Sequence, residues 1–568
     1  MKSKTIKTFI FAILLSMATG CATVVPPSGG PKDTTPPVPV AYNPPNKSLN
    51  YSGGKIAIRF DEFIQLKDLH SQLVVSPAMP HDPDVYVQGK KLIINPPDSL
   101  AENTTYTVYL GNSVVNYKEG LPVKHFQYVF STGSALDSLR ISGVVKNAFD
   151  LKTEEGILVM LYKEPSDSLP YLKRPYYIAK TYSGGDFVLD NLSEGKYLIF
   201  ALKDMNSNYL YDQPSEKIAF LDSLVIPSPI KPDDDSLNLI HPVFLNMYLF
   251  QEKAKKQAVT RKAVLRKNLL EIDFKRPVKK LQIKPLNFNN SGQWYYPVMS
   301  SGKDSLKMWL TSPVPDTLVI KVSDGGQTID TLSIILKKPD RKKYTGEKRK
   351  NQAIGSAKPV KKRPVRLSIK SNTSRPVDFF GNPFLVFSTP VKAIDRGKIN
   401  VYKKIDTLYK DVPFKVFFKD TVAANRLYFD IKMDENSVYK IFIPDSVFFD
   451  IFGNTNDTLK FDFSTTKSRN YGSLTLNIKY GDSIPLLIQL LNEKDAVIRQ
   501  NVLKDSLLYY KYLPPGKYKV KAVKDINGNK KWDTGDYLKG IQPERVFYMP
   551  KALTIRANWD VENKWIPE

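Results

Sequence analysis

The chain contains one cysteine, Cys21, and four histidines among its 568 residues. A single thiol excludes a disulfide within the chain, so each domain has to be stabilised by its own core. The histidines form no HExxH motif, and the sequence has no Gly-x-Ser-x-Gly elbow, Walker loop or dinucleotide fingerprint. We therefore expect no enzyme and no organic cofactor. A hydrolase whose site is assembled from several loops is the remaining enzymatic alternative.

Alanine-rich stretches and leucine heptads are also absent, whereas tyrosine, phenylalanine and proline are abundant. This composition favours β-structure with many turns. The length predicts roughly three to five domains. The net charge of +26 favours anionic partners, such as an envelope polyanion or a glycan. The N-terminal pattern described next is that of an exported protein, which rarely meets nucleic acid, so we expect no nucleic-acid partner.

Residues 1–20 have the pattern of a signal peptide: lysines, a short apolar run and then small residues. The apolar run is too short to span a bilayer as a permanent helix. Ala18-Thr19-Gly20-Cys21 resembles a bacterial lipobox, although alanine stands where that family usually has leucine. The resemblance implies cleavage before Cys21 and acylation of its sulfur and amino group, with palmitate as a typical chain. The alternative is an ordinary signal peptide with an incidental cysteine.

Residues 21–38 are rich in proline and glycine and predict an extended tether. This segment resembles the start of Bacteroidetes envelope lipoproteins that carry an Ig-like domain of the S-layer (SbsA-type) kind. The resemblance implies an outer-membrane lipid anchor. Ala22 stands where an aspartate would indicate retention in the inner membrane. No acidic run of the kind that directs similar lipoproteins to the outside follows Cys21, so the periplasmic face is favoured over the cell surface.

The next regions predict β-sandwich domains. Short alternating strands in 39–134 predict an Ig-like antiparallel sandwich. The strands of 135–228, with a tight turn at Leu192–Tyr197, resemble a prealbumin-like or Cna-B-like sandwich. Residues 229–336 predict a middle β-domain of no named family, with a hairpin at Gly325-Gly326 and a short helix as an alternative over 259–270. Residues 337–366 are basic, with few apolar residues, and predict a disordered linker; adhesion to an anionic surface is the alternative.

An internal repeat organises the chain. The Ig-like pattern returns in 367–467 and the prealbumin-like pattern in 468–563. The matching segments are Phe60–Phe63 with Phe387–Pro390, Asn116–Gly120 with Asp450–Asn454, and Leu192–Asp212 with Leu513–Asp533. We therefore predict an all-β, multidomain chain of antiparallel β-sandwiches, duplicated around a middle domain.

Each prealbumin-like copy contains the pattern Asp-x-Asn-x-Asn-x-x-x-Asp. Its residues are Asp204, Asn206, Asn208 and Asp212 in the first copy, and Asp525, Asn527, Asn529 and Asp533 in the second. This spacing matches positions 1, 3, 5 and 9 of an EF-hand loop, so Ca²⁺ is the candidate cation. Asp536 supplies the position 12 acid in the second copy; Glu216 stands one residue late in the first. The alternative is a set of Asx turns without metal.

These patterns lead to one functional hypothesis and two rivals. The first is a non-catalytic, lipid-anchored envelope protein that acts in binding or scaffolding. A carbohydrate-binding accessory lipoprotein, with Trp294-Tyr295-Tyr296 as a sugar platform, is the second. The motif-free hydrolase is the third. Such an aromatic run is more often part of a β-core than a binding platform.

Overall fold

The computed structural model describes residues 32–79, 81–97, 99–229, 244–289, 292–336, 366–418 and 425–568. These residues form short, mostly antiparallel strands in several sheets, which confirms the predicted all-β, multidomain architecture. The chain divides into two compact units. Unit 1 comprises the residues up to 251 together with 537–540, and unit 2 comprises 252–536 and 541–568. The signal peptide, Cys21 and nearly all of the basic linker lie outside the described residues.

Membrane-spanning helices were sought over the described ranges. None of the helices there is long and apolar enough to cross a bilayer.

The first module of unit 1 is a sandwich of nine strands. They are β1 Pro39–Asn43, β2 Ile56–Phe60, β3 Ile64–Leu66, β4 Val74–Ser76, β5 Asp84–Gln88, β6 Lys91–Asn95, β7 Thr105–Gly111, β8 Val114–Asn116 and β9 Phe126–Ser131. Their sheets have the orders β1-β2-β6-β5, β3-β8 and β4-β7-β9. Alternate side chains such as Ile56, Ile58 and Phe60 fill one core, as the period of two requires. A single helical turn, α1 (Leu69–Gln72), precedes β4.

The second module of unit 1 contains eight strands and one helical turn, α2 (Leu169–Leu172). The strands are β10 Leu139–Asn147, β11 Leu158–Tyr162, β12 Tyr177–Lys180, β13 Asp186–Leu192, β14 Leu198–Lys203, β15 Lys217–Phe220, β16 Ser228–Pro229 and β17 Phe244–Leu249. One sheet has the order β12-β11-β14-β15, and in the other β10 lies between β13 and β17.

Strand β17 corrects the predicted boundary at 228. It lies in the stretch assigned to the middle domain, but it pairs in parallel with β10, from Ser142↔Phe244 to Asn147↔Leu249. Met247 and Leu249 thereby enter the core of the first prealbumin-like module. Gly143 permits the close approach, since a Cβ there would overlap the carbonyl of Leu245 and the ring of Phe187.

The middle region of unit 2 forms two sheets around one core. Its strands are β18 Val259–Arg266, β19 Leu269–Phe274, β20 Leu281–Pro285, β21 Tyr295–Met299, β22 Ser305–Leu310, β23 Thr317–Asp324 and β24 Gln327–Ile335. The sheet orders are β18-β19-β22-β21 and β20-β23-β24. Residues 259–266 are therefore strand, not helix. The predicted hairpin is confirmed: Asp324 faces Gln327, and Gly325 and Gly326 both have positive φ, as a type I′ turn demands.

The second Ig-like module has ten strands. They are β25 Ile369–Ser371, β26 Phe384–Phe387, β27 Val391–Ile394, β28 Asn400–Ile405, β29 Leu408–Asp411, β30 Phe414–Phe418, β31 Arg426–Ile431, β32 Val438–Ile443, β33 Phe448–Asp450 and β34 Leu459–Ser464. The sheet β25-β26-β31-β30 repeats the order of the first module, β27-β33 repeats β3-β8, and β28-β32-β34 repeats β4-β7-β9. The edge strand β29 has no counterpart among the strands named in the first module.

The second prealbumin-like module completes unit 2. Its strands are β35 Gly472–Ile478, β36 Leu486–Leu491, β37 Val497–Val502, β38 Leu507–Leu513, β39 Gly516–Lys524, β40 Val546–Tyr548, β41 Leu553–Ile555 and β42 Asp560–Trp565. The parallel pair β35–β42 repeats the parallel pair β10–β17. The sheet β37-β36-β39-β40 repeats β12-β11-β14-β15. Matching strand orders in both halves confirm the duplication. Three 3-10 turns, Arg396–Lys398, Ser468–Asn470 and Tyr537–Lys539, complete the elements.

Candidate functional site

The first acidic loop begins where β14 ends and is built on Asp204. Its Oδ1 accepts the N–H groups of Asn206 and Ser207, and its Oδ2 accepts that of Tyr209. The Oδ1 of Asn206 accepts the N–H of Asn208 in the same way. These bonds, each reaching a few residues along the chain, are the Asx turns expected of Asp and Asn in tight loops.

The carboxylate of Asp212 closes the loop from its far end. Its two oxygens accept the side-chain amides of Asn206, at 3.2 Å, and Asn208, at 2.7 Å. All four residues predicted as ligands in the first copy are therefore brought together. Tyr209, at the position where an EF-hand loop has glycine, has a φ of 65°. Its N–H bond to Asp204 holds this unfavourable backbone conformation in place.

Glu216 anchors the loop to the module from below. Its side chain is fully buried. Its Oε1 accepts the N–H of Met205 at 3.2 Å, and its Oε2 accepts those of Asp212 and Gln213, each at 3.0 Å. One buried carboxylate therefore satisfies three main-chain donors of the loop, which ties both its ends to the residue that directly precedes β15.

The second loop repeats this construction around Asp525, whose side chain is also buried. Its oxygens accept the N–H groups of Asn529 at 3.1 Å and Lys530 at 2.8 Å. The amides of Asn527 and Asn529 both donate to Asp533. Lys530 has a φ of 62°, matching the left-handed backbone of the first copy at the same position.

Glu544 takes the place of Glu216 in the second copy. Its Oε1 accepts the N–H of Ile526, and its Oε2 accepts that of Asp533, both at 2.9 Å. Sequence comparison did not identify Glu544, because it lies further from Asp525 than Glu216 lies from Asp204 and the gapless match ends before it. Asp536, predicted as the position 12 ligand, instead pairs through its backbone with Ile541. A search for an acid that follows the loop at variable distance could have found Glu544.

Two carboxylates of the second loop have shifted pKa values in opposite directions. A hydrogen bond from Lys253 is the main reason why the pKa of Asp533 is lowered, and Asn527 and Asn529 contribute to the same effect. Burial is the main reason why the pKa of Glu544 is raised, and the nearby carboxylates of Asp525 and Asp533 raise it further. The ionised form is thus favoured at Asp533, which faces a lysine, and disfavoured at the buried Glu544.

Both loops contain the carboxylate and amide oxygens that calcium prefers as ligands. In the arrangement described, the carboxylates accept N–H groups and the asparagine amides donate to Asp212 and Asp533. A bound calcium would need these asparagines to turn their oxygens inward. Over the described ranges, no group of three or more His, Cys, Asp or Glu side chains is placed to hold a metal. The Asx turns are thus observed, and calcium binding stays a prediction.

Trp294 and Tyr295 of the aromatic run belong to the middle domain's core, whereas Tyr296 packs against a separate cluster that contains Trp309. Trp294 is only 4% exposed, and its ring packs against Phe288 at 5.3 Å and Tyr295 at 4.7 Å. It therefore offers no open face on which a sugar could stack.

A groove of about 680 Å³ lies at one end of the second prealbumin-like module. Its carboxylates include Asp482 and Asp505. Asp482 pairs with Lys524 at 2.5 Å, and this hydrogen bond is the main reason why its pKa is lowered. A general acid of a glycosidase needs the opposite shift.

Comparison with known proteins identifies one domain. Residues 33–132 match the model of a bacterial Ig-like domain, which agrees with the fold of the first module. No curated protein matches the chain.

Several solved structures have low similarity to the whole chain. The S-layer protein rSbsC is 9% identical, with 91% of this chain and 67% of that chain covered and a TM-score of 0.14. BcpA, the major pilin subunit of Bacillus cereus, is 8% identical, with 76% and 99% covered and a TM-score of 0.14. Invasin, a bacterial integrin-binding protein, is 11% identical, with 69% and 76% covered and a TM-score of 0.12. Scores this low carry no functional argument.

Proposed function

We propose that the protein is a non-catalytic, lipid-anchored scaffold of the bacterial cell envelope. Its β-sandwich modules would hold partners at a distance from the membrane, with the lipid on Cys21 as the anchor. The periplasmic face of the outer membrane is the proposed location, on the lipobox pattern and the absence of an acidic run after Cys21.

The scaffolding role is inferred from what the buried polar side chains bind, namely the protein's own main-chain N–H groups. Glu216 and Glu544 each bind main-chain N–H groups of a loop. Asp450 accepts the N–H groups of Phe452 and Asn454, and Asn456 accepts those of Val447 and Phe448. A catalytic site leaves such groups directed at substrate. Here they stabilise loops and turns, which is what a structural module requires.

Metabolic labelling with a palmitate analogue tests the anchor. We expect label on the chain cleaved before Cys21, and an unlabelled, uncleaved precursor for the Cys21→Ser variant. A chain that carries no label but is processed normally would refute the lipid anchor. Protease treatment of intact cells tests the location: cleavage within 337–366 without lysis would place the modules outside the cell.

The scaffolding role itself is tested by identifying what the purified chain binds. We expect retention by another envelope protein and no retention on polysaccharide columns or glycan arrays. Specific, saturable retention on one glycan class would instead establish the carbohydrate-binding alternative.

A further inference from the structure

Two aromatic side chains stand side by side at one end of the first Ig-like module. Ile64 and Asn116 are the last pair of the β3–β8 ribbon, and Phe63 and Tyr117 follow immediately beyond it. The N–H of Tyr117 donates to the carbonyl of Phe63 at 2.9 Å. Phe63 is 59% exposed and Tyr117 68% exposed. We call this pair the aromatic tip.

The second Ig-like module has the same backbone at this place. Val391 pairs with Asp450 at the end of the β27–β33 ribbon, and the N–H of Ile451 donates to the carbonyl of Pro390 at 3.1 Å. Asn116 and Asp450 are both buried, and each accepts main-chain N–H groups of the turn that follows. Ile451 is therefore the structural counterpart of Tyr117, and Pro390 is that of Phe63.

In the second module the middle domain packs on this end and partly buries it. Ile451 packs against the buried side chains of Leu269, Val298 and Trp309 in the middle domain. The ring of Phe452 lies 6.3 Å from that of Trp309. These contacts are all within unit 2.

The covering surface is the outer face of a sheet. Met308 and Leu310, the neighbours of Trp309 on β22, point into the middle domain's own core, so Trp309 points away from that core. A buried tryptophan flanked by aliphatic side chains is a common centre of protein interfaces. The chain thus contains one example of how this end of an Ig-like module is buried.

We propose that the aromatic tip is a docking surface for a β-sheet domain of another envelope protein, one that presents a tryptophan-bearing apolar sheet face. The partner's sheet would pack on Phe63 and Tyr117 as the middle domain packs on Ile451. The occupant is inferred from the covered counterpart, and Lys90, whose Nζ lies 5.6 Å from the centre of the Phe63 ring, adds a cation at the rim. The inference deepens the proposed scaffolding role and rests on it.

Photo-crosslinking in intact cells tests the proposal on the full chain. The photoreactive amino acid p-benzoylphenylalanine replaces Phe63 or Tyr117, and in the matched control it replaces Phe452. The control should crosslink within the chain to the peptide that contains Trp309. We expect the tip variants to crosslink to one other envelope protein, at a β-strand that carries tryptophan. Adding Tyr117→Ser to the Phe63 probe should reduce the adduct at least about tenfold.

Three results would overturn the proposal while the control reacts: no adduct from the tip, adducts only with glycan or lipid, or adducts with the tip of a second copy. Hydrogen exchange of β3 and β8 should be unchanged in Tyr117→Ser, because an exposed side chain contributes little to the fold. Palmitate labelling reports on the anchor independently, so failure of crosslinking in labelled cells would refute the docking surface and leave the anchor intact.

Discussion

Removing the carboxylate of Glu216 should free the first acidic loop while the surrounding sandwich stays folded. The side chain is fully buried and binds three main-chain N–H groups. In Glu216→Gln, the amide can keep its oxygen on Asp212 and Gln213, but its NH₂ group then faces the N–H of Met205. In Glu216→Ala all three donors lose their partner.

The magnitudes follow from the number of bonds lost. A hydrogen bond to a charged group contributes about 1.5–3 kcal/mol. We therefore expect Glu216→Gln, which loses one bond, to lower the free energy of loop opening by about 2 kcal/mol, and Glu216→Ala, which loses three, to lower it by at least about 4.5 kcal/mol. Since about 1.4 kcal/mol corresponds to a factor of ten, amide exchange in 205–213 should accelerate roughly 30-fold in the first variant and at least roughly 1500-fold in the second.

Hydrogen exchange read out by mass spectrometry measures this on the full chain, because the loop is resolved as its own peptides. The peptide covering 525–533 in the second copy is the internal control and should not change. Glu544→Gln should reverse the pattern, with faster exchange in the second loop alone. Equal exchange rates of 205–213 in Glu216→Ala and in the unmodified chain would show that Glu216 does not hold the loop.

Three further predictions address buried polar groups and ions. In the unmodified chain the side-chain NH₂ group of Asn456 donates to the carbonyls of Pro444 and Asp457. Asn456→Asp places a carboxylate against these two carbonyls and should lower the stability of the second Ig-like module by at least about 3 kcal/mol. Asn456→Ala is the control, and a denaturant midpoint that is unchanged in both variants would contradict the prediction. Calcium at about 100 times its Kd should stabilise the prealbumin-like modules by about 2.7 kcal/mol. The melting temperature should therefore be higher in calcium than in chelator, and Asp525→Ala should reduce the difference. Equal melting temperatures in calcium and chelator would remove the calcium proposal. Partial desolvation, with the ring of Tyr182 4.2 Å away, lowers the pKa of His125. The unfolded state therefore binds the proton more readily, and the stability of unit 1 should fall as pH drops below about 6.5. His125→Gln should abolish this effect in melting curves.

Local sequence patterns were sufficient for most strands. Alternation in 55–60 predicted a strand with one buried face, and the structure has it, with Ile56, Ile58 and Phe60 buried. The pair Gly325-Gly326 predicted a two-residue hairpin because both positions need positive φ. The repeat predicted two pairs of modules with the same fold, because the same pattern of buried positions produces the same strand pairing.

Contacts between distant segments were not predictable in the same way. The residues of β17 were assigned to the middle domain, because nothing in their local sequence says which distant strand they join. Its parallel pairing with β10 depends on the space at Gly143. Glu544 was missed for a similar reason, since its partners are backbone N–H groups of the loop, which leave no trace in side-chain spacing.

Composition and periodicity thus determined that this chain is all-β, duplicated and equipped with two acidic loops, because those properties depend on residues close together in sequence. Tertiary structure alone decided which outward-facing side chains are covered. Trp309 lies within β22 and Tyr117 directly follows β8, yet the first is buried against Ile451 and the second is exposed. A side chain's burial depends on what packs over its sheet face, and that neighbour comes from a distant part of the chain or from another molecule.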